Sequence, residues 1–303
     1  MSATPLSKAR PLAAHRDATP LREQILSCLF RHQVAHTGQL HRLLYPAPRP
    51  RADHLRRCLR SLRADGLVIE SSRAHHHSLW ALSAQGSALV SSWPPFASGR
   101  TRWRSRLDNQ RTAHALTTTR ACLAFLDDAR ARGDEFHPLD WRPEVRHPLH
   151  DGAAVGERSL VADAVLRYTR TAPSRQLLRA FVEIDRATES PERLAAKILT
   201  FARFYRHRPG QRGSKSSGVP AWQELYPRFP RVLFVLSNAG PRAQYQRITD
   251  LQMLVRQHPL ASSFAAEVPL GVAVLEEMEK DGPSANVWVP LARSGGRCSW
   301  MDL

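Results

Sequence analysis

Phe181-Val182-Glu183-Ile184-Asp185 is an apolar run carrying two acids, followed by Arg186-Ala187-Thr188-Glu189-Ser190 and a helix-like segment that holds Lys197. In a strand, side chains repeat on one face every second residue, so Glu183 and Asp185 project together from an otherwise apolar ladder. Upstream, Asp163 lies in a second apolar stretch, Leu160 to Tyr168. Acids placed this way admit two readings. One is a hard-cation site, because magnesium takes oxygen ligands and one or two carboxylates. The other is a set of strand-end acids meeting arginines, as most surface acids do.

Working outward, Ser190-Pro191-Glu192 predicts a helix start, with a capping hydroxyl, proline at the first helical position and an acid favoured by the helix dipole. Leu194, Ile198, Phe201 and Tyr205 form its apolar stripe, and Lys197 borders that stripe, able to reach the sheet or solvent. A long helix is predicted from Leu107 to about Arg132, on Ala113, Leu116, Thr119, Leu123 and Leu126; His114 on it reads as a packed or surface histidine. Three strands follow, around Trp141 to Arg146, Leu160 to Tyr168 and Leu177 to Asp185. Beyond a basic loop (His207 to Pro220), the continuous apolar run Arg231 to Leu236 has the form of a central strand covered on both faces. Arg242 to Gln257 predicts another helix and Asn286 to Val289 a strand, while pattern alone does not place the rest of 258–303.

The chain has 303 residues, a length that suggests two domains, and a formal net charge of +17, which implies a polyanionic partner, most simply nucleic acid. It has no apolar span long enough for a membrane helix and no secretory leader, so a cytoplasmic, membrane-free protein is expected. Its four cysteines include no close pair, which argues against a disulfide framework and a zinc ribbon. The cations are almost all arginine; only Lys8, Lys197, Lys215 and Lys280 are lysines. Residues 1–105 hold 16 Lys and Arg against 5 Asp and Glu, a balance of +11, and the other 198 residues hold 28 against 22, or +6. The first third is therefore the electrostatic anchor.

That third divides clearly. Residues 1–19 are polar and unpatterned and predict a mobile tail. Leu21, Ile25, Cys28 and Leu29 mark a first helix, and Thr37 is the expected N-cap of a second carrying Leu40, Leu43 and Leu44. A third helix runs to about Ala64, with Leu55, Cys58, Leu59 and Leu62 inward and Arg56, Arg57, Arg60 and Arg63 outward, and Gly66 closes it. Leu67 to Ile69 and Leu79 to Leu82 predict a hairpin. Three helices and a hairpin in this order make a winged helix-turn-helix, whose third helix enters the DNA major groove. Arg51 ahead of that helix, the arginines on it, and Arg73 and His76 in the wing are the expected contacts to double-stranded DNA. A winged helix used for protein contacts is the alternative. The adjacent His75, His76 and His77 fit a loop better than a metal site, because neighbours in sequence do not all aim at one ion.

The order helix, three strands, helix, strand resembles the PD-(D/E)xK restriction-endonuclease-like core. Asp163 stands at its first acid and Glu183 at its second; Ala162 replaces the usual proline, and Asp185 stands where the superfamily has its lysine. Lys197 resembles the migrated lysine of some members. With the winged helix and the string Phe181 to Ser190, the chain is similar to the replication-relaxation family of plasmid and integrative-element proteins. The resemblance implies an α/β chain, α+β overall, with a tail (1–19), a winged helix-turn-helix (20–93), a basic linker (94–106) and a nuclease-like domain (107–303). It implies action on plasmid or mobile-element DNA in replication, relaxation or transfer, beside other replication or transfer proteins. An active magnesium-dependent endonuclease or nickase is an alternative, with Asp163, Glu183 and Asp185 around the metal and Lys197 stabilising charge; a winged-helix transcriptional regulator is a second.

Overall fold

The computed structural model describes residues 19–74, 77–97, 109–149, 159–187, 190–208, 218–293 and 295–303. The tail to residue 18, most of the basic linker (98–108), His75, His76 and the loop 209–217 lie outside them. The chain mixes helices with two sheets, as expected, and separates into two compact units.

One unit runs through Pro143 and takes in Thr171–Ser174. It contains α1 (Leu21–His32), β1 (Val34–His36), α2 (Thr37–Leu44), α3 (Asp53–Ala64), β2 (Val68–Ala74), β3 (His77–Leu82), α4 (Ala84–Ser91) and α5 (Asn109–Arg132). The predicted three helices and hairpin are present. A three-residue strand, β1, also joins the hairpin and gives a sheet of order β1-β3-β2. The core is built from the predicted positions, with Ile25, Leu29, Leu40, Leu43, Leu55, Leu59 and Leu62 all buried. Gly66 ends α3 at a φ of +71°, a left-handed conformation open to glycine at no steric cost. The expected N-cap of α2 is corrected by one residue. His36 is the cap, its Nδ1 accepting from the Gln39 amide at 3.1 Å while Gln39 Oε1 accepts from the His36 amide at 3.3 Å. The Thr37 hydroxyl is engaged elsewhere, accepting from Trp80 Nε1 at 2.9 Å.

Helix α5 packs with this unit rather than with the large sheet. Asp127 on α5 pairs with Arg42 at 2.9 Å and Arg49 at 2.6 Å. Arg130 donates to the α2 carbonyls of Arg42 and Leu43 at 2.6 and 2.7 Å, filling acceptors that a helix C-terminus leaves open.

The second unit comprises Glu144–Arg170 and Arg175–Leu303. Strand β4 (Trp141–Pro148) leads into it, and β5 (Ser159–Arg170), β6 (Gln176–Asp185), β7 (Arg231–Leu236), β8 (Leu270–Val274) and β9 (Val289–Pro290) complete a six-stranded sheet in sequence order. Strands β5 and β6 are antiparallel, whereas β6, β7 and β8 are parallel. Parallel neighbours require crossovers. Helix α6 (Pro191–Arg206) makes the first, and α7 (Pro241–Gln257) with α8 (Pro259–Glu267) makes the second, before α9 (Leu275–Asp281) follows β8. Both crossovers pack on one sheet face, where Leu194, Ile198, Phe201, Leu251, Val255 and Phe264 meet Val165, Phe181, Val232 and Phe234. The run 231–236 is buried on both faces, as its unbroken hydrophobicity requires.

Candidate functional site

Glu183 and Asp163 face each other across the β5–β6 edge. The regular ladder ends at Ala164 opposite Val182, and beyond it the Asp163 carboxylate replaces a backbone acceptor, with Oδ2 taking the Ile184 amide at 2.8 Å. Lys197, one turn into the buried stripe of α6, brings Nζ to 2.7 Å from Glu183 Oε2 and 3.6 Å from Asp163 Oδ2. Two strands and the following helix thus place two acids and an ammonium together. Ser190 is the N-cap of α6 and Pro191 its first residue, but the hydroxyl makes no capping bond to the backbone. Its contact is with the Glu192 carboxylate, which that hydrogen bond holds below its ordinary pKa.

The electrostatics of the cluster centre on Glu183, whose side chain is only 1% exposed. Burial first, and then the Asp163 charge, push its carboxyl up to about 8, with Lys197 pulling the other way. The Lys197 ammonium, 2.7 Å from Oε2, and the Asp163 backbone amide are the donors that face this carboxyl, and they offset only part of the cost of burying it.

Asp185 does not join this cluster. Its Oδ2 accepts from Arg247 Nη1 on α7 at 2.7 Å and its Oδ1 from the Ala187 amide at 2.9 Å, with the Asp185 side chain fully buried. Among the described residues no group of three or more His, Cys, Asp and Glu side chains comes together as a set of metal ligands. The three-carboxylate arrangement expected from the sequence is therefore replaced by a pair, Asp163 and Glu183, because a guanidinium has claimed the third acid. Asp163 and Glu183 are the two carboxylates that could hold a hard cation, which one or two carboxylates and water bind, with Glu183 Oε1 itself buried.

Arg247 is the residue that the sequence reading missed. It sits four residues before Leu251 and eight before Val255, both buried, so it lies on the inward stripe of α7. An arginine at a core-facing register was the available signal.

In the first unit, Arg56, Arg57, Arg60 and Arg63 all face solvent from α3, opposite Leu55, Leu59 and Leu62, and Arg51 is exposed ahead of the helix. Arg56 pairs with Asp53 at 3.3 Å and Arg63 with Glu70 on β2. Among the described residues Arg57 and Arg60 carry no ion pair, so their charge is uncompensated. Arg73 lies on β2 by its backbone, and His76 falls outside the described residues. No described helix is long and apolar enough to cross a membrane.

Fold and site together define a two-unit α/β chain: one unit of helices and a three-stranded sheet with an arginine-lined helix, and one with a mixed six-stranded sheet carrying an acid–acid–lysine cluster where β5 meets β6. The chain belongs to the replication-relaxation family, whose model matches residues 26–218, more than half of its length. The match takes in α3, Asp163, Glu183, Asp185 and Lys197 and stops short of Arg247. No curated protein and no solved structure matches the chain.

Proposed function

We propose that this is a DNA-binding protein of a plasmid or mobile element, acting in its replication, relaxation or transfer. In this reading the first unit is a winged helix-turn-helix that docks α3 in the major groove, and the second is nuclease-like. The observation that carries it is the solvent-facing row Arg56, Arg57, Arg60 and Arg63, within a chain of net charge +17. Arginine suits that position because it binds phosphate oxygens or makes two hydrogen bonds to guanine, each good base contact supplying about 1–3 kcal/mol of discrimination. Family membership supports a role with element DNA. The test is binding of the full chain to duplex DNA over a range of salt. Affinity indifferent to salt, or absent, would sink the reading.

A second reading, a magnesium-dependent nickase, is favoured by one observation: Lys197 reaches both acids from the helix after the second. Asp163 and Glu183 are the residues that would hold the metal, which when bound supplies an activated water and charge stabilisation at the phosphate. Lys197 contributes a fixed positive charge where negative charge develops during phosphodiester cleavage. Asp185 acts through Arg247, anchoring α7 to the end of β6. Incubating supercoiled plasmid with the protein, with and without magnesium, decides the matter. Nicked circles formed only with the metal support cleavage, and unchanged supercoils leave DNA binding alone.

A further inference from the structure

Tyr245 on α7 is 72% exposed, more than any other large apolar or aromatic side chain among the described residues, Leu177 following at 54%. A single exposed ring needs no explanation by itself, but its surroundings here supply one. Its neighbours one helical turn away are Pro241, Arg242, Ile248 and Thr249, none of them an acid. Arg242 is exposed and, among the described residues, carries no ion pair. The Thr249 hydroxyl donates back to the Tyr245 carbonyl at 3.0 Å and makes no claim on the ring. Asp250 lies off this face and is engaged by Gln246 Nε2 at 2.8 Å. Two turns further along the helix, Met253 is also exposed and extends the apolar strip. An open depression of about 580 Å³, lined by Gly240, Pro241, Arg242, Ala243 and Gln246, lies at this end of α7. The helix is anchored there, because Arg247 pairs at 2.7 Å with Asp185, two residues beyond Glu183 on β6.

An aromatic face in water, a guanidinium one turn away and no acid around them suit a nucleotide: the base stacks on the ring and the cation takes the phosphate. Only an unpaired base offers its face to a side chain, so the partner is a single strand. A protein surface would also cover Tyr245 and Met253. The net charge of +17 and the acid-free surround of the ring favour a polyanion instead. We propose that Tyr245 is a stacking platform for an unpaired nucleobase, with Arg242 on the adjoining phosphate, by which the second unit holds single-stranded DNA. The platform rests on the DNA-binding reading and extends it, giving the second unit its own contact to DNA, separate from α3 and of a different strand state.

The experiment titrates the full chain and its Y245A, Y245L, Y245F and R242Q variants with a short single-stranded DNA oligonucleotide and with an abasic strand of the same length, with thermal melts of each. Y245A is expected to weaken oligonucleotide binding by about 5- to 150-fold, the effect of losing one base–aromatic stack. Y245L keeps apolar bulk without a π face and should lose nearly as much, whereas Y245F should bind as the wild type does. On the abasic strand the Tyr245 variants should match the wild type. R242Q should lower the slope of log affinity against log salt by about 0.7, the single-strand share of one neutralised phosphate. Melting should not change, because the ring is exposed. The platform is overturned if Y245A keeps wild-type affinity, if it loses as much on the abasic strand, or if it melts early and so reveals a structural role. A Y245A variant that changes only its sedimentation would assign this face to contacts between copies and overturn the platform as well. A wild type that binds duplex but not the oligonucleotide ends the platform alone; one that binds neither removes it together with the reading beneath it.

Discussion

Glu183 combines three conditions that seldom coincide: near-complete burial, a second carboxylate alongside, and a lysine within ion-pair distance. Its raised pKa has a definite consequence for stability. The folded state holds a proton at Glu183 that the unfolded chain, near its ordinary 4.5, has released; the favourable contribution is complete below about 4.5 and is lost as pH rises through about 8. The difference in melting temperature between wild type and Glu183→Gln is therefore expected to shift against the wild type from pH 5 to pH 8. A constant difference would show that Glu183 is ionised in the folded protein at pH 5. Asp185 and Arg247 pose the opposite case, a buried acid fully engaged by its counter-charge. Arg247→Met strands that carboxylate and should cost about 3–5 kcal/mol in denaturant unfolding, with Asp185→Asn/Arg247→Met recovering most of the loss. Equal destabilisation by the single and double variants would mean that the pair is not coupled.

At the level of elements, α3 and α5 divide the work of the first unit. Replacing Arg56, Arg57 and Arg60 together with alanine should weaken DNA binding and flatten its salt dependence by up to about 2.7 in slope, about 0.9 for each phosphate no longer neutralised. The helix itself should survive, since its buried residues Leu55, Leu59 and Leu62 are untouched. A folded triple variant with wild-type slope would remove α3 from the interface. Helix α5 acts as a brace, because Arg130 satisfies carbonyls at the end of α2. Arg130→Met leaves those acceptors open and is expected to cost about 1–3 kcal/mol, read by chemical denaturation. These elements also show what local sequence conceals. The three-residue β1 is too short to announce itself and exists because the hairpin offers an edge to pair with. The cap of α2 passed to His36 because Thr37, the better cap by residue type, is bonded to Trp80, 43 residues away.

Across the whole molecule, the proposed reading assigns α3 and the acid–lysine cluster to different compact units, so on that reading the two activities should separate by mutation. Asp163→Ala/Glu183→Ala is expected to abolish magnesium-dependent nicking while leaving the DNA affinity contributed by α3 within about twofold, measured by plasmid relaxation and duplex binding on the same preparations. Joint loss of both in a folded variant would contradict that division. The sequence alone was sufficient for the mixed α/β class, the helices and strands around the acids, and the pairing of Asp163, Glu183 and Lys197. Hydrophobic period and helix-start chemistry are local properties, and acids on facing strands meet whenever those strands pair. Tertiary structure alone decided that Asp185 leaves the cluster for Arg247 and that α5 belongs with the first unit. Each of these depends on which distant segment arrives beside a given side chain, and charge and burial at that point are set by packing between segments rather than by any pattern within one.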